Sequence, residues 1–206
     1  METCILTVGT PSHDRLRVKQ FEPALQRCEP VHWIHHQRPS GSNPRGDFGC
    51  GDWLEVMMFK YTSILRTCRS LNSDTNIIIS DLDIIYMPTA FIELAKYAQQ
   101  GMYAMCEDEE AQLNAGLLVS ANTRELHWLL HHCIAYMATH KDKHDQDALR
   151  ACGKDSVKTL PVSFANTKTE HLTTPADMLC FHAICTRADD NEGSIDKKLR
   201  MLSERC

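Results

Sequence analysis

The fold of this chain is decided by residues 76–86, which read NIIISDLDIIY. Three consecutive isoleucines after the polar Asn76 predict a buried central strand, and such a strand delivers the residues after it to the carboxyl edge of an α/β sheet. With the side chain of Leu82 in the core, Asp81 and Asp83 both turn toward the crevice in which open α/β sheets bind ligands. The sequence therefore predicts a ligand site at this edge.

The two carboxylates at this edge predict a site for a divalent cation. With isoleucines on both sides they lie too deep to stay unpaired, because an uncompensated buried charge costs several kcal/mol. A bound Mg²⁺ or Mn²⁺ that also carries phosphate oxygens would remove that cost. An aspartate just after a strand is often only a turn residue or a helix cap, and at this point that alternative stays open.

The composition is that of one globular domain. The 206 residues suffice for a substantial core, and a hydrophobic fraction of 43% with a charged fraction of 24% supports neither a disordered nor a fibrous protein. Because 27 acidic residues outnumber 22 basic ones, the net charge of -5 argues against nucleic-acid binding through a broad basic face.

The chain shows no signal for a membrane or for secretion. No run approaches 18 apolar residues and the first residues carry no basic region, so we expect neither a membrane span nor a signal peptide. Ten cysteines are scattered without a Cys-x-x-Cys pair. We therefore expect reduced, buried thiols in a cytosolic protein rather than a disulfide framework or a zinc site.

Two further segments suggest ligand contacts. Residues 3–8 predict a first strand, and the turn after it is a common place for a nucleotide, which makes Thr7, Gly9 and Thr10 candidate contacts. Any strand-to-helix turn looks similar, so this signal is weak. Residues 37–52 are rich in Pro, Gly, Ser and Asn and predict a functional loop, for which a lid over the substrate is one interpretation.

The middle of the chain predicts a long helix and polar strand ends. Apolar residues recur at helical intervals over residues 53–71, and Lys60 lies beside that stripe. Lys60 either reaches the sheet edge and a phosphate or base, or it is solvated. At the start of another strand, Asn114 offers a donor and an acceptor to a hydroxylated ligand, and Gly116 allows close backbone approach.

The ends of two later segments carry charge whose role the pattern leaves open. Residues 107–110 are four consecutive acids after a predicted strand, either a solvated loop or in part the acceptor side of the crevice. His182 stands between apolar residues and is either a core residue or a further metal donor. The basic residues at 197–200 are either an exposed helix end or neutralise a diphosphate.

Four motifs resemble those of the nucleotide-diphospho-sugar glycosyltransferases of the GT-A fold. The motifs are Ser80-Asp81-Leu82-Asp83 as the DxD element, Asn114-Ala115-Gly116 as the Asn-x-Gly element, Asp145-Gln146-Asp147 as the Asp-Gln-Asp of many retaining members, and His182 as the late metal-binding histidine. The chain is also similar to the amino-terminal glycosyltransferase domain of a large multidomain chlorella-virus protein. That similarity implies further domains of a longer polypeptide.

The resemblance implies a fold and an activity. The fold is α/β, a GT-A (Rossmann-like) mixed sheet flanked by helices, in a single domain spanning residues 1–206. A nucleotide-sugar-binding half spans about 1–113, and an acceptor and metal-completing half spans about 114–206. The activity is that of a metal-dependent hexosyltransferase, which moves a hexose or deoxyhexose from a UDP-sugar to an oligosaccharide or glycoprotein glycan. The location would be cytoplasmic, in the host cytoplasm if the protein is viral.

The resemblance also implies roles for individual residues. A cation, Mn²⁺ or Mg²⁺, would be held against the diphosphate by Asp81, Asp83 and His182. The residues implied in substrate binding are Thr7, Gly9, Thr10, Lys60, Asn114, Gly116, Asp145 and Lys198, with Lys197 as the alternative to Lys198. Gln146 matches the residue beneath the anomeric carbon of retaining members, so retention is expected, whereas inversion would need Asp147 or Asp108 as a base.

Two other functions remain to be distinguished. Asp81-Leu82-Asp83 is also compatible with the nucleophile motif of a haloacid-dehalogenase-type phosphatase, with Ser120 and residues 189–190 as later elements. That motif normally follows the first strand, whereas about 80 residues precede it here. A non-catalytic sugar-nucleotide or glycan-binding module would bind a UDP-sugar without metal-dependent turnover.

Overall fold

The computed structural model describes residues 1–28, 30–39, 52–108, 110, 112–184 and 194–205. Its strands are β1 (Thr3–Gly9), β2 (His32–Gln37), β3 (Asn76–Ser80), β4 (Ile84–Tyr86), β5 (Met102–Cys106), β6 (Leu113–Ala121), β7 (Val157–Thr159), β8 (Phe164–Asn166) and β9 (Cys180–His182). Its α-helices are α1 (Asp14–Leu16), α2 (Glu22–Gln26), α3 (Trp53–Ser70), α4 (Ala90–Gln100), α5 (Arg124–Thr139), α6 (Asp145–Gly153) and α7 (Ser194–Ser203). Most of the loop predicted at 37–52, and residues 189–190, lie outside the described residues.

The main sheet is a six-stranded mixed sheet, as predicted. Its strand order is β2-β1-β3-β6-β5-β7. β1 pairs in parallel with both β2 and β3, and β5 pairs in parallel with β7, whereas β6 runs antiparallel to its neighbours β3 and β5. The strand β3 is the third of the six and is buried throughout, so the central position expected for the isoleucine run is confirmed.

Helices cover both faces of this sheet, which explains the unbroken isoleucines of β3. Ile77 and Ile79 pack in one core with α3, α5 and α6, while Ile78 packs in the other core with α4 and α7. Burying each isoleucine side chain contributes about 1.5–3 kcal/mol. Because both faces are apolar, only the ends of the strand can carry polar side chains without a large cost.

A second sheet carries the late histidine to the aspartate pair. Its order is β4-β9-β8, and β4 pairs antiparallel with β9 so that Ile84 lies opposite His182. The chain on either side of this pair is joined as well, because the amide of Ala183 donates to the carbonyl of Asp83 at 3.1 Å. Residues about 100 positions apart in sequence therefore meet at one strand end.

Three local features differ from what the sequence pattern predicts. The pattern predicts an amphipathic segment near residues 15–25, but the segment is irregular, because the five residues Arg17–Phe21 form a π-helical turn between α1 and α2. Asp145 is a candidate helix cap by residue type, whereas in the structure it is the first helical residue and His144 is the cap. Residues 157–164 predict one strand near a sheet edge, interrupted by Pro161, but the segment divides into β7, an edge strand of the main sheet, and β8 in the second sheet. None of the described helices is long and apolar enough to cross a membrane.

Candidate active site

A cleft of about 390 Å³ opens where β1 and β3 end. Most of the residues singled out from the sequence line it: Gly9, Lys60, Asp81, Asp83, Asn114, Gly116, Asp145, Gln146, Asp147, His182 and Lys198. They come from both halves of the chain, and the ends of β3, β6 and β9 carry them together with α3, α6 and α7. This is the carboxyl edge at which open α/β sheets bind ligands.

Asp81, Asp83 and His182 form a cluster suited to a metal ion. One possible ligand atom from each lies within 4.8 Å of the others. Nε2 of His182 is 3.1 Å from Oδ1 of Asp83 and 3.9 Å from Oδ2 of Asp81. Two carboxylates and an imidazole in a cleft make a donor set that divalent cations such as Mn²⁺ accept.

The imidazole of His182 is oriented by packing. Its Nε2 faces the carboxylates, whereas the buried Nδ1 has no hydrogen-bond partner among the described residues. A Cβ added to Gly116 would lie 2.1 Å from Cε1 and 2.7 Å from Nδ1, so only glycine leaves room for the ring. Because the seated ring presents Nε2 to both aspartates, the cluster fits the divalent cation expected from the sequence.

Lys60 is buried, and the solvated alternative is therefore wrong. Its side chain is 4% exposed, and Nζ donates to Oδ1 of Asp81 at 2.7 Å, to Oδ2 of Asp145 at 3.0 Å and to the carbonyl of Ala115 at 3.3 Å. Burial alone would lower the pKa of Lys60, but the two carboxylates outweigh burial and hold the pKa above its usual range. Lys60 thus carries a permanent positive charge under the cleft.

A second lysine reaches the other aspartate. Nζ of Lys198, on α7, lies 2.6 Å from Oδ2 of Asp83. Burial would raise the pKa of Asp83, but the charges of Lys198 and His182 outweigh it and hold that pKa well below its usual range. For Asp81 the balance is reversed: burial raises its pKa, Lys60 opposes the shift, and the neighbouring Asp83 adds to it.

Two amide side chains, those of Asn114 and Gln146, line the cleft. Nδ2 of Asn114 donates to Oε1 of Gln146 at 3.1 Å, and Oδ1 of Asn114 accepts from the backbone amide of Gly116 at 2.8 Å. Nε2 of Gln146 donates to the carboxylate of Glu107, which also pairs with Arg150 at 2.8 Å. Both amides therefore have a single orientation within this network.

The first strand contributes less to the cleft than expected. The side chain of Thr7 is fully buried, where it accepts from Nε1 of Trp33 at 2.9 Å and bonds Nδ1 of His35 at 2.8 Å. Thr10 bonds Nδ1 of His13 at 2.9 Å. Gly9 lines the cleft, where an added Cβ would meet Leu82 at 2.9 Å. Ligand contacts by Thr7 and Thr10 stay predictions, and neither residue is among those lining the described cleft.

The two candidate bases for inversion differ in position. Asp147 lines the cleft, and its Oδ2 accepts from the backbone amide of His144 at 3.3 Å. Asp108 is not among the residues that line the described cleft, and its Oδ1 accepts from the amides of Glu110 at 3.2 Å and Gln112 at 3.4 Å. The geometry thus favours Asp147 over Asp108 as the one that reaches a substrate.

Sequence reasoning did not single out several residues that line the cleft, among them Glu107, Arg150, His13 and Trp53. Glu107 belongs to the run of four acids but carries no signal that separates it from the other three. Arg150 lies one helical turn after Gln146 on α6, so the spacing from the Asp-Gln-Asp motif would have indicated it. Nothing in the sequence pattern around His13 or Trp53 points to a ligand.

No protein-family model matches the sequence, and no curated protein matches it. Solved structures do match, and they share the GT-A glycosyltransferase fold. At 8–12% identity this likeness shows the fold alone, and it confirms the predicted mixed α/β architecture.

Three of these structures are particular glycosyltransferases. Apo GlyE of Streptococcus pneumoniae TIGR4 has a TM-score of 0.66 at 12% identity over 100% of this chain, which spans 60% of the GlyE chain. A glycosyltransferase involved in the glycosylation of the major capsid of PBCV-1 has a TM-score of 0.66 at 12% identity, covering 98% of this chain and 100% of its own. The galactosyltransferase LgtC, in complex with donor and acceptor sugar analogues, has a TM-score of 0.61 at 11% identity. The match covers 98% of this chain and 94% of the LgtC chain.

Proposed function

We propose that this protein is a metal-dependent glycosyltransferase that moves a hexose or deoxyhexose from a UDP-sugar to an oligosaccharide or glycoprotein glycan. One observation carries the proposal. In a chain with the fold of glycosyltransferases, two carboxylates and an imidazole converge within 4.8 Å in a cleft at the carboxyl edge of the sheet. A divalent cation held there would bind the diphosphate and stabilise the negative charge that develops on the departing nucleotide.

The residues around the cluster have distinct roles in this proposal. Asp83 stays ionised because Lys198 and His182 lower its pKa, so it offers a charged ligand across the neutral range. Lys60 holds Asp81 and Asp145 in place from below. Once a cation binds Asp83 in place of Lys198, the ammonium of Lys198 would be free to contact the diphosphate. Asn114, Gly116 and Asp145 would contact the sugar.

Retention is the proposed stereochemistry. Five carboxylates line the described cleft, and four of them have a Lys or Arg nitrogen within 3.0 Å: Asp81, Asp83, Glu107 and Asp145. A carboxylate in such close contact with a cation is a poor base, because its lone pairs are already engaged. In this proposal the amide of Gln146 would face the sugar instead, and Asp147 is the residue whose substitution would test inversion.

Nucleotide binding is the most direct test. Titration calorimetry of UDP and GDP, with and without Mn²⁺, is expected to show UDP binding that strengthens at least about tenfold with the metal, since the cation bridges protein and diphosphate. Binding of neither nucleotide in the presence of Mn²⁺ would contradict the proposal.

Substitution of the deeper metal ligand separates folding from function. In Asp83→Asn we expect metal-dependent transfer from UDP-sugars to be lost while the thermal midpoint stays within a few degrees, because the pair with Lys198 lies at the edge of the core. Asp74→Asn, an exposed aspartate, is the matched control. Unchanged turnover in Asp83→Asn would place the site elsewhere.

The same assays distinguish glycosyl transfer from the two alternative functions, a haloacid-dehalogenase-type phosphatase and a non-catalytic binding module. Release of phosphate from sugar phosphates without sugar transfer would favour a phosphatase. UDP-sugar binding with no metal-dependent hydrolysis or transfer would favour a binding module. Glycosyl transfer is favoured here because the fold is that of glycosyltransferases and the metal cluster is complete.

A further inference from the structure

A directed chain of hydrogen bonds runs along the cleft lining. It runs from the backbone amide of Gly116 to Oδ1 of Asn114, from Nδ2 of Asn114 to Oε1 of Gln146, and from Nε2 of Gln146 to Glu107. All four residues line the cleft. The metal cluster uses none of the atoms in this chain.

The two ends of the chain allow one polarity only. A backbone N–H can only donate, and an ionised carboxylate can only accept. Each amide between them must therefore turn its oxygen toward Gly116 and its nitrogen toward Glu107. A side-chain amide alone has no such preference, because its oxygen and nitrogen are close in size and shape. The backbone N–H at one end and the acid at the other both select this arrangement, and the acid is the end whose side chain a substitution can change.

The carboxylate of Glu107 is itself held in place by two cationic side chains. It follows β5, and its side chain is 12% exposed. Oε2 accepts from Arg150 at 2.8 Å and Oε1 accepts from Lys168 at 2.6 Å. Arg150 is anchored in turn, since its Nε donates to the carbonyl of Leu113 at 3.1 Å. Two charge-assisted hydrogen bonds therefore fix the position of the carboxylate that accepts from Gln146.

We propose that Glu107 is a positioning residue that sets which end of the Gln146 amide the sugar meets. This rests on the proposed glycosyl transfer. Nε2 of Gln146 donates to Glu107, and Oε1 uses one lone pair to accept from Asn114. The second lone pair of Oε1 is then available to the sugar, and its partial negative charge would face the cleft. In the transition state of glycosyl transfer the sugar ring gains positive charge, which an amide oxygen stabilises and an N–H group disfavours.

Side-chain amide NMR tests the orientation without any turnover. The ¹H–¹⁵N pair of the Gln146 amide, assigned by its loss in Gln146→Glu, is expected to carry one proton shifted downfield by its bond to a carboxylate. In Glu107→Gln that shift is expected to collapse. Glu110→Gln is the control, since Glu110 follows in the same loop, is exposed and lies outside the cleft lining. An unchanged Gln146 resonance in Glu107→Gln would overturn the proposal.

Kinetics test whether the orientation matters in the transition state. In Glu107→Gln we expect kcat to fall by about 10- to 100-fold with KM for the UDP-sugar within about twofold, since misorientation of a group at the reacting centre costs about that much. Glu107→Asp keeps an obligate acceptor and is expected to retain more kcat than Glu107→Gln, although glutamine matches glutamate in volume.

The outcomes separate positioning from packing and from the activity itself. If Glu107→Gln keeps the kcat of the wild type, or retains more than Glu107→Asp, the residue acts through volume alone and the proposal is wrong. If the wild type transfers no sugar from any UDP-sugar, the proposed function fails. The NMR comparison then still decides whether Glu107 orients Gln146.

Discussion

Two lysines neutralise the aspartates of the cleft, and they do so differently. Lys60 reaches up from α3 in the core, is 4% exposed and bonds two carboxylates and a carbonyl. Lys198 reaches in from α7, is 16% exposed and, among the described residues, pairs with Asp83 alone. One charge is built into the core, and the other lies on its border.

The difference indicates which charge stays in place when a ligand binds. Removing the ammonium of Lys60 would leave two buried carboxylates uncompensated, and that cost ties it to its position. The pair between Lys198 and Asp83 involves one carboxylate and a side chain with access to solvent, so its partners can be exchanged at a smaller cost. We therefore interpret Lys60 as a fixed charge and Lys198 as an exchangeable one, released when a cation binds Asp83.

The largest expected effect comes from removing the fixed charge. In Lys60→Met we expect the free energy of unfolding to fall by about 3–5 kcal/mol, because Asp81 and Asp145 lose their common partner. Urea denaturation measures it. Lys96→Met on α4, where the lysine is exposed and pairs with Glu93, is the control and should change stability by less than about 1 kcal/mol. Equal losses of stability in Lys60→Met and Lys96→Met would show that Lys60 is not a fixed charge of the core.

Removing the exchangeable charge should have opposite effects on two ligands. In Lys198→Met we expect Mn²⁺ affinity without nucleotide to rise by about tenfold, because a competing cation leaves Asp83. UDP affinity in the presence of Mn²⁺ should fall by a similar factor, because a positive charge near the diphosphate is lost. Titration calorimetry measures both, with Lys197→Met as the neighbouring control. Changes of the same sign would show that Lys198 is not exchanged between the two partners.

A further expected effect concerns pH. Burial would raise the pKa of Asp145, but the charges of Lys60 and His144 outweigh burial and lower that pKa to about 2. Since the usual aspartate value is about 3.9, the folded protein binds fewer protons than the unfolded chain between these values, so this stability is present above about pH 4 and is lost toward pH 2. In Asp145→Asn the loss between pH 5 and pH 2 should shrink by about 2 kcal/mol.

Urea unfolding at several pH values across this range measures that change. Asp74→Asn serves as the control, because Asp74 is exposed. A variant at Asp145 that loses stability as steeply as the wild type would show that the pair with Lys60 contributes nothing to acid sensitivity. It would also weaken the interpretation of Lys60 as a fixed charge.

Much of the fold was predictable because local patterns report burial. The isoleucines at 77–79 required a strand covered on both faces, and the structure places that strand inside the main sheet between two apolar cores. The apolar stripe of α3 follows from the same kind of local signal.

The partners of the cleft charges were not predictable in the same way. Lys60 and Asp145 are 85 residues apart, and the sequence left Lys60 either solvated or at the sheet edge. Glu107 is one of four adjacent acids, and only the fold shows that Gln146 and Arg150 reach it. A charge pair depends on which element ends meet in space, and no local spacing encodes that.

The sequence by itself determined a buried central strand of an α/β sheet that ends in two aspartates, and hence a carboxylate pair at the edge of that sheet. Only the tertiary structure decided that His182 joins the two aspartates. The pairing of β4 with β9 sets His182 opposite Ile84, next to Asp83, and Gly116 leaves room for its ring. The reason is physical: burial is set by the hydrophobic pattern along a single element, whereas the surroundings of a charge are set by contacts between elements far apart in the chain.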